Sequence, residues 1–555
     1  NTIKNLKENN VGLVLQSHVS SPKAEHYVFA QTVNGRKIFR GAVKINIDKN
    51  GRVLSVFDHT FSVTGSENAD FPDHAVYHNG LMEHYQSDNG KLHHYNLEEF
   101  YFEEKGKIVP AIRLEVVENT DRYYEMVLNS QVRVIYQSDL LSYHTPPPAP
   151  PQAEDSLVTL WVFNPDPLTT ANQSYAAPYV DNNDIDIIEL NAERISVQMP
   201  TTFENDTFFL RNQFVSIEEF SPPSTTATTS LTPEFNFTRS ETGFEDVNVF
   251  YHINNFQQYI QTLGFSDLVN YPIAVDAHGL NGSDNSSFNA GFSPPRLTFG
   301  EGGVDDAEDA DVILHEYGHA IMNSAAPGTN SGDERRALDE AVGDYFASSY
   351  SRFLNNFEWG NVFSWDGHNE FWPGRSSISN DHYPEGLVGN LNADADIWSA
   401  TLMQIWGDIG RESTDAIMLQ AAYSFSTGMS MPDAAYLFLQ ADTLLFNGAN
   451  YAPIYQRMFD RGLIPGNVGI ADNQEPEQHF QVLNSIGFAA ATSALKVVSD
   501  RGFNVRLYNS VGQLLLREAV ESGTFQFLGN NLNAGVYLLK IESEEHRQTI
   551  KLVRH

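Results

Sequence analysis

The N-terminal part of the chain alternates between apolar and polar residues, with the two-residue period of β-strands. In HYVFAQTVNGRKIFRGAVKINIDKNGRVLSVF, residues 26–57, the alternation is broken by Asn34-Gly35 and Asn50-Gly51. Both dipeptides are hairpin signals, because a tight turn between antiparallel strands needs two residues with positive φ. The pattern resumes downstream, and it predicts a strand-rich segment over residues 1–143.

Strand patterns return at the C-terminal end, where short alternating stretches are separated by turn residues. This spacing predicts a small β-sandwich over residues 478–555. From Pro476 onward there are eight Lys or Arg and seven Asp or Glu, against 34 and 71 in the whole chain. A proline-rich run at 144–154 and a polar run at 470–479 predict linkers on either side of a middle segment, residues 155–468.

The middle segment changes from short strand patterns to apolar residues at helical spacing. Residues 247–265 have this spacing and end next to a glycine that is suited to close a helix. Residues 309–323 predict another helix, and Ser331 with Glu334 has capping-box spacing at the start of a third. The patterns together predict a multidomain α+β chain.

Composition narrows the classes of function. The chain has 555 residues, a hydrophobic fraction of 41% and a formal net charge of −37. That charge argues against nucleic acid or an anionic membrane surface as a partner. The absence of cysteine excludes disulfides, catalytic thiols and cysteine-ligated zinc. No apolar run is long enough to span a membrane, and the start at Asn1 without an apolar leader leads us to expect a processed form.

One short motif carries the candidate chemistry. DADVILHEYGHAIMN, residues 309–323, holds His315, Glu316 and His319 within five positions. Histidines four residues apart share one face of a helix and can bind one metal ion, while the glutamate can reach a water on that ion. The alternative is a buried helix that carries three polar residues by accident, although burying them without partners costs several kcal/mol.

A third metal ligand is expected from the next predicted helix, residues 331–354. Glu340 is our candidate, and Asp344 one turn later is placed to accept a hydrogen bond from the far nitrogen of a ligating histidine. The carboxylates that compete with Glu340 for the third position are Asp333, Glu334 and Asp339.

HEYGH followed 21 residues later by the glutamate of DEAVGDYFA resembles the gluzincin metallopeptidases of the thermolysin and fungalysin groups. The resemblance implies a catalytic domain with a β-rich N-terminal lobe and an α-helical C-terminal lobe, and zinc as the cofactor. FNAGFSPPRLTFGEGG resembles their substrate-binding edge strand, with Asn289 and Ala290 as the substrate-binding pair. Residues 28–56 are similar to the propeptide that inhibits these enzymes and assists their folding.

Two features depart from the family pattern. The histidine that stabilises the developing oxyanion in fungalysin-type enzymes aligns with Asn392, which leaves His382 and Tyr383 as substitutes. For calcium, Asp311 matches a family ligand, but its expected partner aligns with Ser351. The acidic runs VDNNDID and VDDAEDAD could bind Ca²⁺, and we expect them to be solvated charge.

The C-terminal segment resembles the sorting domain of the Bacteroidetes type IX secretion system, through VRLYNSVGQLLL, LNAGVYLLKI and the terminal IKLVRH. The alternative is a carbohydrate-binding or adhesive β-sandwich. The resemblance implies a secreted or cell-surface protein with the secretion machinery as a partner.

We therefore interpret the chain as the proenzyme of a secreted zinc endopeptidase that acts on polypeptides, with zinc on His315, His319 and Glu340 and with Glu316 as the general base. Residues 1–143 are expected to cover the cleft as an intramolecular inhibitor. The alternative is a cell-surface binding or adhesion protein on a peptidase scaffold that has lost turnover, and Asn392 favours it.

Overall fold

The computed structural model divides the chain into two compact units, residues 1–464 and 465–555. The residues that it describes are 11–61, 71, 74–78, 94–104, 107–119, 122–129, 131–139, 155–464, 481–483, 495–499, 502–509, 514–521, 523–527, 535–543 and 547–554. The predicted linkers, 144–154 and 470–479, lie outside these residues. The fold is mixed: strands at the N-terminus, helices in the middle and strands at the C-terminus.

The N-terminal strands form one sheet in the order β1-β2-β3-β5-β6-β7-β8, with β4 paired to β3. Their bounds are β1 Val11–Ser20, β2 Ala24–Val33, β3 Arg36–Asp48, β4 Val53–Asp58, β5 His94–Glu104, β6 Lys107–Asn119, β7 Arg122–Asn129 and β8 Val134–Asp139.

Both predicted hairpins are confirmed. Asn34 and Gly35 have φ of 50° and 80°, and Val33 pairs with Arg36 across the two-residue turn. The second turn is longer, and of its Asn-Gly pair only Gly51 has positive φ. There Oδ1 of Asp48 accepts the backbone N–H of residue 52, which holds the turn without a second left-handed residue.

The strands of the middle segment form two sheets. One has the order β13-β11-β10-β9-β14 and the other the order β12-β15-β17-β16, so that β16 lies at an edge. Their bounds are β9 Asp155–Val162, β10 Ile195–Glu204, β11 Thr207–Phe209, β12 Val215–Ile217, β13 Thr229–Ser230, β14 Glu234–Phe235, β15 Ile273–Asp276, β16 Ser286–Asn289 and β17 Arg296–Phe299, and a further pair is β18 Asn361–Val362 and β19 Arg375–Ser376.

The helices follow and share one large hydrophobic core with the second sheet. The longer helices are α1 Gly243–Thr262, α2 Ala310–Ala325, α3 Asp333–Leu354, α4 Leu391–Ile409, α5 Arg411–Ala422, α6 Met431–Phe446 and α7 Tyr451–Asp460, and short helical turns span Pro167–Ala171, Ile188–Ala192, Leu280–Gly282 and Asp306–Glu308. None of the helices in the described residues is both long and apolar enough to cross a membrane.

Two predictions about helix ends have opposite outcomes. Helix α1 ends as expected, with Gly264 at φ 92° just beyond it. The capping box at the start of α3 is wrong, because the N-cap is Gly332 and makes no side-chain cap. Glu334 instead accepts the backbone N–H of Met431 at 2.9 Å, so tertiary contact replaces the local cap.

The C-terminal unit contains two antiparallel sheets, with the orders β20-β21-β24 and β23-β22-β25-β26. The bounds are β20 Gln481–Leu483, β21 Leu495–Ser499, β22 Phe503–Asn509, β23 Leu514–Val520, β24 Gly523–Phe527, β25 Gly535–Glu542 and β26 Arg547–Arg554. Val497 and Phe525 of the first sheet and Val505, Leu507 and Leu539 of the second belong to one buried cluster.

Candidate metal centre

Helix α2 presents the two motif histidines to one cleft. Asp309 caps the helix by accepting the backbone N–H of Asp311 at 2.8 Å. His315 and His319 follow one turn apart on the same face, with ring centroids 4.8 Å apart and ring planes perpendicular. Two imidazoles so arranged can direct one nitrogen each at a common point.

A glycine pair brings helix α3 close enough to complete the site. A Cβ on Gly318 would lie 2.9 Å from the Cα of Gly343, and a Cβ on Gly343 would lie 2.6 Å from Nδ1 of His315. Only glycine permits this approach of the two backbones. As a result Glu340 lies between the rings, with Oε2 3.5 Å from Nε2 of His315 and Oε1 3.8 Å from Nε2 of His319.

The far nitrogens of both rings are held by carboxylates. Nδ1 of His315 lies 2.8 Å from Oδ1 of Asp344, which is the partner that the sequence predicts. Nδ1 of His319 lies 2.7 Å from Oδ2 of Asp339, a residue that the sequence offered only as a competing third ligand. Such contacts leave each Nε2 free to face the cleft.

Two arginines hold these carboxylates in turn. Nη1 of Arg335 donates to Oδ1 of Asp339 at 3.0 Å. Nη1 of Arg375 donates to Oδ1 of Asp344 at 3.0 Å and to Oε2 of Glu340 at 3.3 Å. Sequence reasoning identified neither arginine, because neither belongs to the motif.

The electrostatics of the site favour a positive charge between the rings. Burial alone would lower the pKa of His315, but hydrogen bonds to Asp344 and Glu340 outweigh it and raise the pKa to about 10. His319 is likewise raised, because Asp339 and Glu340 outweigh the effect of burial on its pKa. Burial would raise the pKa of Glu340, yet the two histidines lower it below its usual range. The surrounding carboxylates therefore stabilise positive charge at this place.

Glu316 lies beside the edge strand β16. Its Oε1 accepts a hydrogen bond from Oγ of Ser286 at 3.0 Å. One oxygen of Glu316 and one nitrogen of each motif histidine lie within 4.8 Å of one another. A glutamate held in this way can take a proton from a water between the rings.

The edge strand lines the cleft with residues 285–288, and the expected pair Asn289 and Ala290 does not line it. Asn289 is fully buried and its Oδ1 accepts the backbone N–H of Gly291, while Ala290 is 3% exposed. Asn289 pairs with Arg296 of β17, and the residues that line the cleft directly precede the predicted pair in the chain.

The three candidates for oxyanion stabilisation differ in whether they line the cleft. Asn392 is exposed and lines the cleft. His382 does not line it and bonds Glu385 at the surface, and the hydroxyl of Tyr383 donates to Glu334. Cleft-lining residues that the sequence reasoning missed are Asn330 and Arg336.

The acidic run VDDAEDAD is buried, so the expectation of solvated charge is wrong for it. Asp305, Asp306, Glu308, Asp309 and Asp311 are each at most 6% exposed. Asp311 accepts hydrogen bonds from Oγ of Ser351 and the backbone N–H of Phe363, so both oxygens of this calcium-ligand candidate have protein partners. In VDNNDID, Asp181 is buried against Arg239, and Asp186 is exposed.

The N-terminal strands contact the helices of the same unit. Nε2 of Gln420 donates to Oγ of Ser21 at 2.9 Å, and Nε2 of Gln440 donates to the carbonyl of Leu54 at 3.0 Å. The buried His26 stacks on Tyr423, with ring centroids 5.5 Å apart. Among the described residues of 11–139 none lines the cleft, so its coverage by this segment stays a prediction.

A buried lysine links these strands to the metal centre. Nζ of Lys44 donates to the carbonyl of Phe425. The guanidinium of Arg335 lies over the Phe425 ring, 5.4 Å from its centroid, and it is the group that holds Asp339 against His319. Lys44 of the N-terminal strands is therefore connected to His319 through Phe425, Arg335 and Asp339.

Two segments of the chain, one near each end, match known protein families. Residues 14–59 match the Fungalysin/Thermolysin Propeptide Motif, and residues 491–555 match the Secretion system C-terminal sorting domain. Neither match covers the metal centre, and comparison with curated proteins gives no significant match.

The two matches have clear implications. The sorting domain indicates a secreted or cell-surface protein. A propeptide motif followed by a sorting domain is typical of the precursor of a secreted peptidase. The chain thus carries the propeptide motif of the fungalysin and thermolysin peptidases at one end and a sorting domain for secretion at the other.

Proposed function

We propose that the protein is the precursor of a secreted zinc endopeptidase, with His315, His319 and Glu340 as the zinc ligands and Glu316 as the general base. The observation that carries the proposal is the position of Glu340. Its two oxygens face the Nε2 atoms of both histidines at 3.5 and 3.8 Å. The alternative is a buried helix that carries three polar residues by accident. It does not explain why the carboxylate of Glu340 lies beside both histidine rings.

The donor set fits zinc. Two imidazole nitrogens and one carboxylate oxygen form a common set for a zinc ion that performs hydrolysis. Glu340 presents one oxygen to the Nε2 of each ring, and the chain has no cysteine to compete as a ligand.

Zinc held by His315, His319 and Glu340 would supply Lewis acidity toward a peptide carbonyl and toward a water. Glu316 accepts the proton of the attacking water and then delivers it to the nitrogen of the leaving amine. Ser286 holds the carboxylate of Glu316 in place through its 3.0 Å hydrogen bond. Asp344 and Asp339 fix the orientation of the two rings.

Strand β16 offers the substrate a place to bind. It is an edge strand, and its residues 286–288 line the cleft together with the preceding Asn285. An extended peptide can add to such an edge through main-chain hydrogen bonds. Arg336 and Asn392 also line the cleft, and they are the candidates to donate to the carbonyl oxygen as charge develops on it.

The N-terminal segment is proposed to act as the inhibitor of its own enzyme. The match of residues 14–59 to a propeptide motif supports this role, and so do the contacts of these strands with helices α5 and α6. Cleavage between residues 139 and 155 would separate the segment from the part of the chain that carries the metal centre.

The test is an activity assay on the full chain after limited proteolysis removes the N-terminal segment. We expect casein cleavage that a zinc chelator abolishes and added zinc restores. Glu316→Gln should bind zinc as well as the wild type but lose about 10²–10⁴ of kcat. If processed, zinc-loaded wild type cleaves nothing, the alternative of a binding protein on an inactive peptidase scaffold is favoured, with Asn392 in place of a histidine as its basis.

A further inference from the structure

The described part of the first unit contains two groups of carboxylates besides the HExxH motif, and they differ in how their charge is balanced. The first comprises Glu245, Asp305 and Glu308. Arg239 is buried against it, with Nη2 2.8 Å from Oε2 of Glu308 and 2.6 Å from Oδ1 of Asp181. The protein thus supplies a cation of its own to this group.

The second group comprises Asp284, Asp306 and Asp366, and no arginine or lysine among the described residues forms an ion pair with it. One carboxylate oxygen from each lies within 4.8 Å of the others. Asp306 and Asp366 are 2% and 4% exposed. Among the described residues, Oδ1 of Asp306 and Oδ1 of Asp366 have no hydrogen-bond partner. Buried carboxylates without partners are costly, so these oxygens point to a ligand.

The charges that act on Asp306 support this conclusion. Burial raises its pKa well above the usual range, and the neighbours that raise it further are all carboxylates, namely Asp366, Asp284, Glu316 and Asp305. Burial, Asp309 and Asp284 likewise raise the pKa of Asp366, while the indole N–H of Trp372, which donates to Oδ2 at 3.1 Å, lowers it.

Close packing of the backbone holds Asp284 beside the other two carboxylates. A Cβ on Gly302 would lie 2.3 Å from the backbone nitrogen of Asp284, and a Cβ on Gly303 would lie 3.0 Å from its Oδ2. Only glycine allows residues 300–303 to pack this closely against residues 283–284. Asp284 is also the exposed member of the group, so an ion can enter from solvent.

We propose that Asp284, Asp306 and Asp366 form a binding site for a hard divalent cation, best suited to Ca²⁺, that fastens the substrate edge strand to the HExxH helix. Calcium prefers oxygen ligands, carboxylates above all, and accepts flexible geometry with carbonyls and waters completing its shell. A secreted protein meets calcium at concentrations that fill sites with dissociation constants of about 10⁻⁴–10⁻³ M.

The location gives the ion a role in the cleft. Asp284 directly precedes residues 285–288 of the cleft wall, and Asp306 lies four residues before helix α2. Asp366 belongs to the loop whose Phe363 packs its ring 5.5 Å from that of His315. An ion bound by all three carboxylates ties the edge strand, the helix and this loop together.

The experiment uses the full chain saturated with zinc, so that the zinc site is filled, and then stripped of calcium. Tb³⁺ is the probe, because Trp372 contacts Asp366 and can transfer excitation energy to an ion there. We expect tryptophan-sensitised Tb³⁺ emission that Ca²⁺ displaces. Calcium at saturating concentration should raise the midpoint of thermal unfolding by about 2–4 °C.

The decisive variant is Asp284→Asn, which changes an exposed carboxylate and leaves the buried ones intact. It should weaken Tb³⁺ and Ca²⁺ binding at least about tenfold. The matched control is Glu370→Gln, an exposed carboxylate of the same loop as Asp366 but outside the group, which should bind both ions like the wild type. Asp306→Asn should lose binding as well.

Two results would overturn the proposal. If Asp284→Asn keeps wild-type Tb³⁺ emission and the calcium shift, the ion binds elsewhere. If calcium leaves the wild type unchanged and Asp306→Asn is more stable than the wild type, Asp306 and Asp366 share a proton and no cation is required.

Discussion

Oδ2 of Asp339 lies 2.7 Å from Nδ1 of His319, while Oδ1 of the same carboxylate accepts a hydrogen bond from Arg335. Asp339 therefore orients a motif histidine, and it does so from the position next to Glu340 on helix α3. Adjacent residues of one helix thus face the same ring from two sides, one at Nδ1 and the other at Nε2.

Replacement of Asp339 is expected to weaken metal binding without removing a ligand. Asp339→Asn keeps the shape of the side chain but loses the charge that supports the His319 ring. Loss of such a partner typically costs 10–100-fold in metal affinity, and we expect a loss of that order in competition with a chromophoric zinc chelator. Asp333→Asn, an exposed change in the first turn of the same helix, is the control and should bind zinc normally. Equal affinity for both variants would show that Asp339 has no role in binding.

Ser286 is expected to act as a positioning residue for Glu316. Ser286→Ala removes the 3.0 Å hydrogen bond to Oε1 of Glu316, an interaction that contributes about 0.5–1.5 kcal/mol, or more to a charged acceptor. We expect kcat to fall roughly 3–10-fold with little change in KM. The neighbouring Ser287→Ala is the matched control, because Oγ of Ser287 has no hydrogen-bond partner among the described residues. A larger effect of the control than of Ser286→Ala would contradict this role.

Zinc uptake by the metal-free protein is expected to release protons. The pKa of His315 is raised to about 10, so at neutral pH its ring carries a proton that zinc must displace. Affinity should therefore rise with pH, by up to about tenfold per unit for each proton displaced. Calorimetric titration in two buffers of different ionisation enthalpy measures the protons released, and we expect at least one per zinc. Uptake with no proton release would contradict the carboxylate-supported arrangement of the rings.

The contact of the N-terminal strands with the helices is expected to weaken in acid. Burial, together with the charge of Lys44, lowers the pKa of His26 to about 3, below the value of about 6.5 for an exposed histidine. The neutral ring is thus fully stabilising above about pH 6.5, and stability is lost by about 1.4 kcal/mol per unit as the pH falls from there toward 3.

Thermal unfolding of the full chain across this pH range checks the expectation through its lowest transition. His26→Gln, which cannot take up the proton, should flatten the pH dependence. His18→Gln on strand β1, where the ring is largely exposed, should keep it. The same steep dependence in His26→Gln as in the wild type would assign the acid sensitivity to other groups.

Sequence patterns were sufficient to predict features that depend on neighbouring residues. The Asn34-Gly35 turn and the end of helix α1 at Gly264 follow from residues adjacent in sequence, and both are confirmed. The spacing of His315, His319 and Glu340 predicted three side chains that the structure brings together. Helical periodicity alone places the first two.

Other features of the site depend on tertiary contacts, and the sequence pattern did not predict them. The partner of His319 depends on where helices α2 and α3 cross, which Gly318 and Gly343 determine. The burial of Glu308 within the acidic run is balanced by Arg239, a residue 69 positions earlier in the chain. The predicted pair Asn289 and Ala290 is buried, and the residues just before it, 285–288, line the cleft.

If His315, His319 and Glu340 hold one zinc ion, the purified full chain should retain zinc after dialysis against metal-free buffer, as measured by plasma mass spectrometry. We expect one zinc per wild-type chain, one per Glu316→Gln chain, and less than about a tenth in His319→Ala, because loss of one ligand costs several kcal/mol of binding. Absence of zinc from the wild type, or full zinc content in His319→Ala, would contradict this expectation.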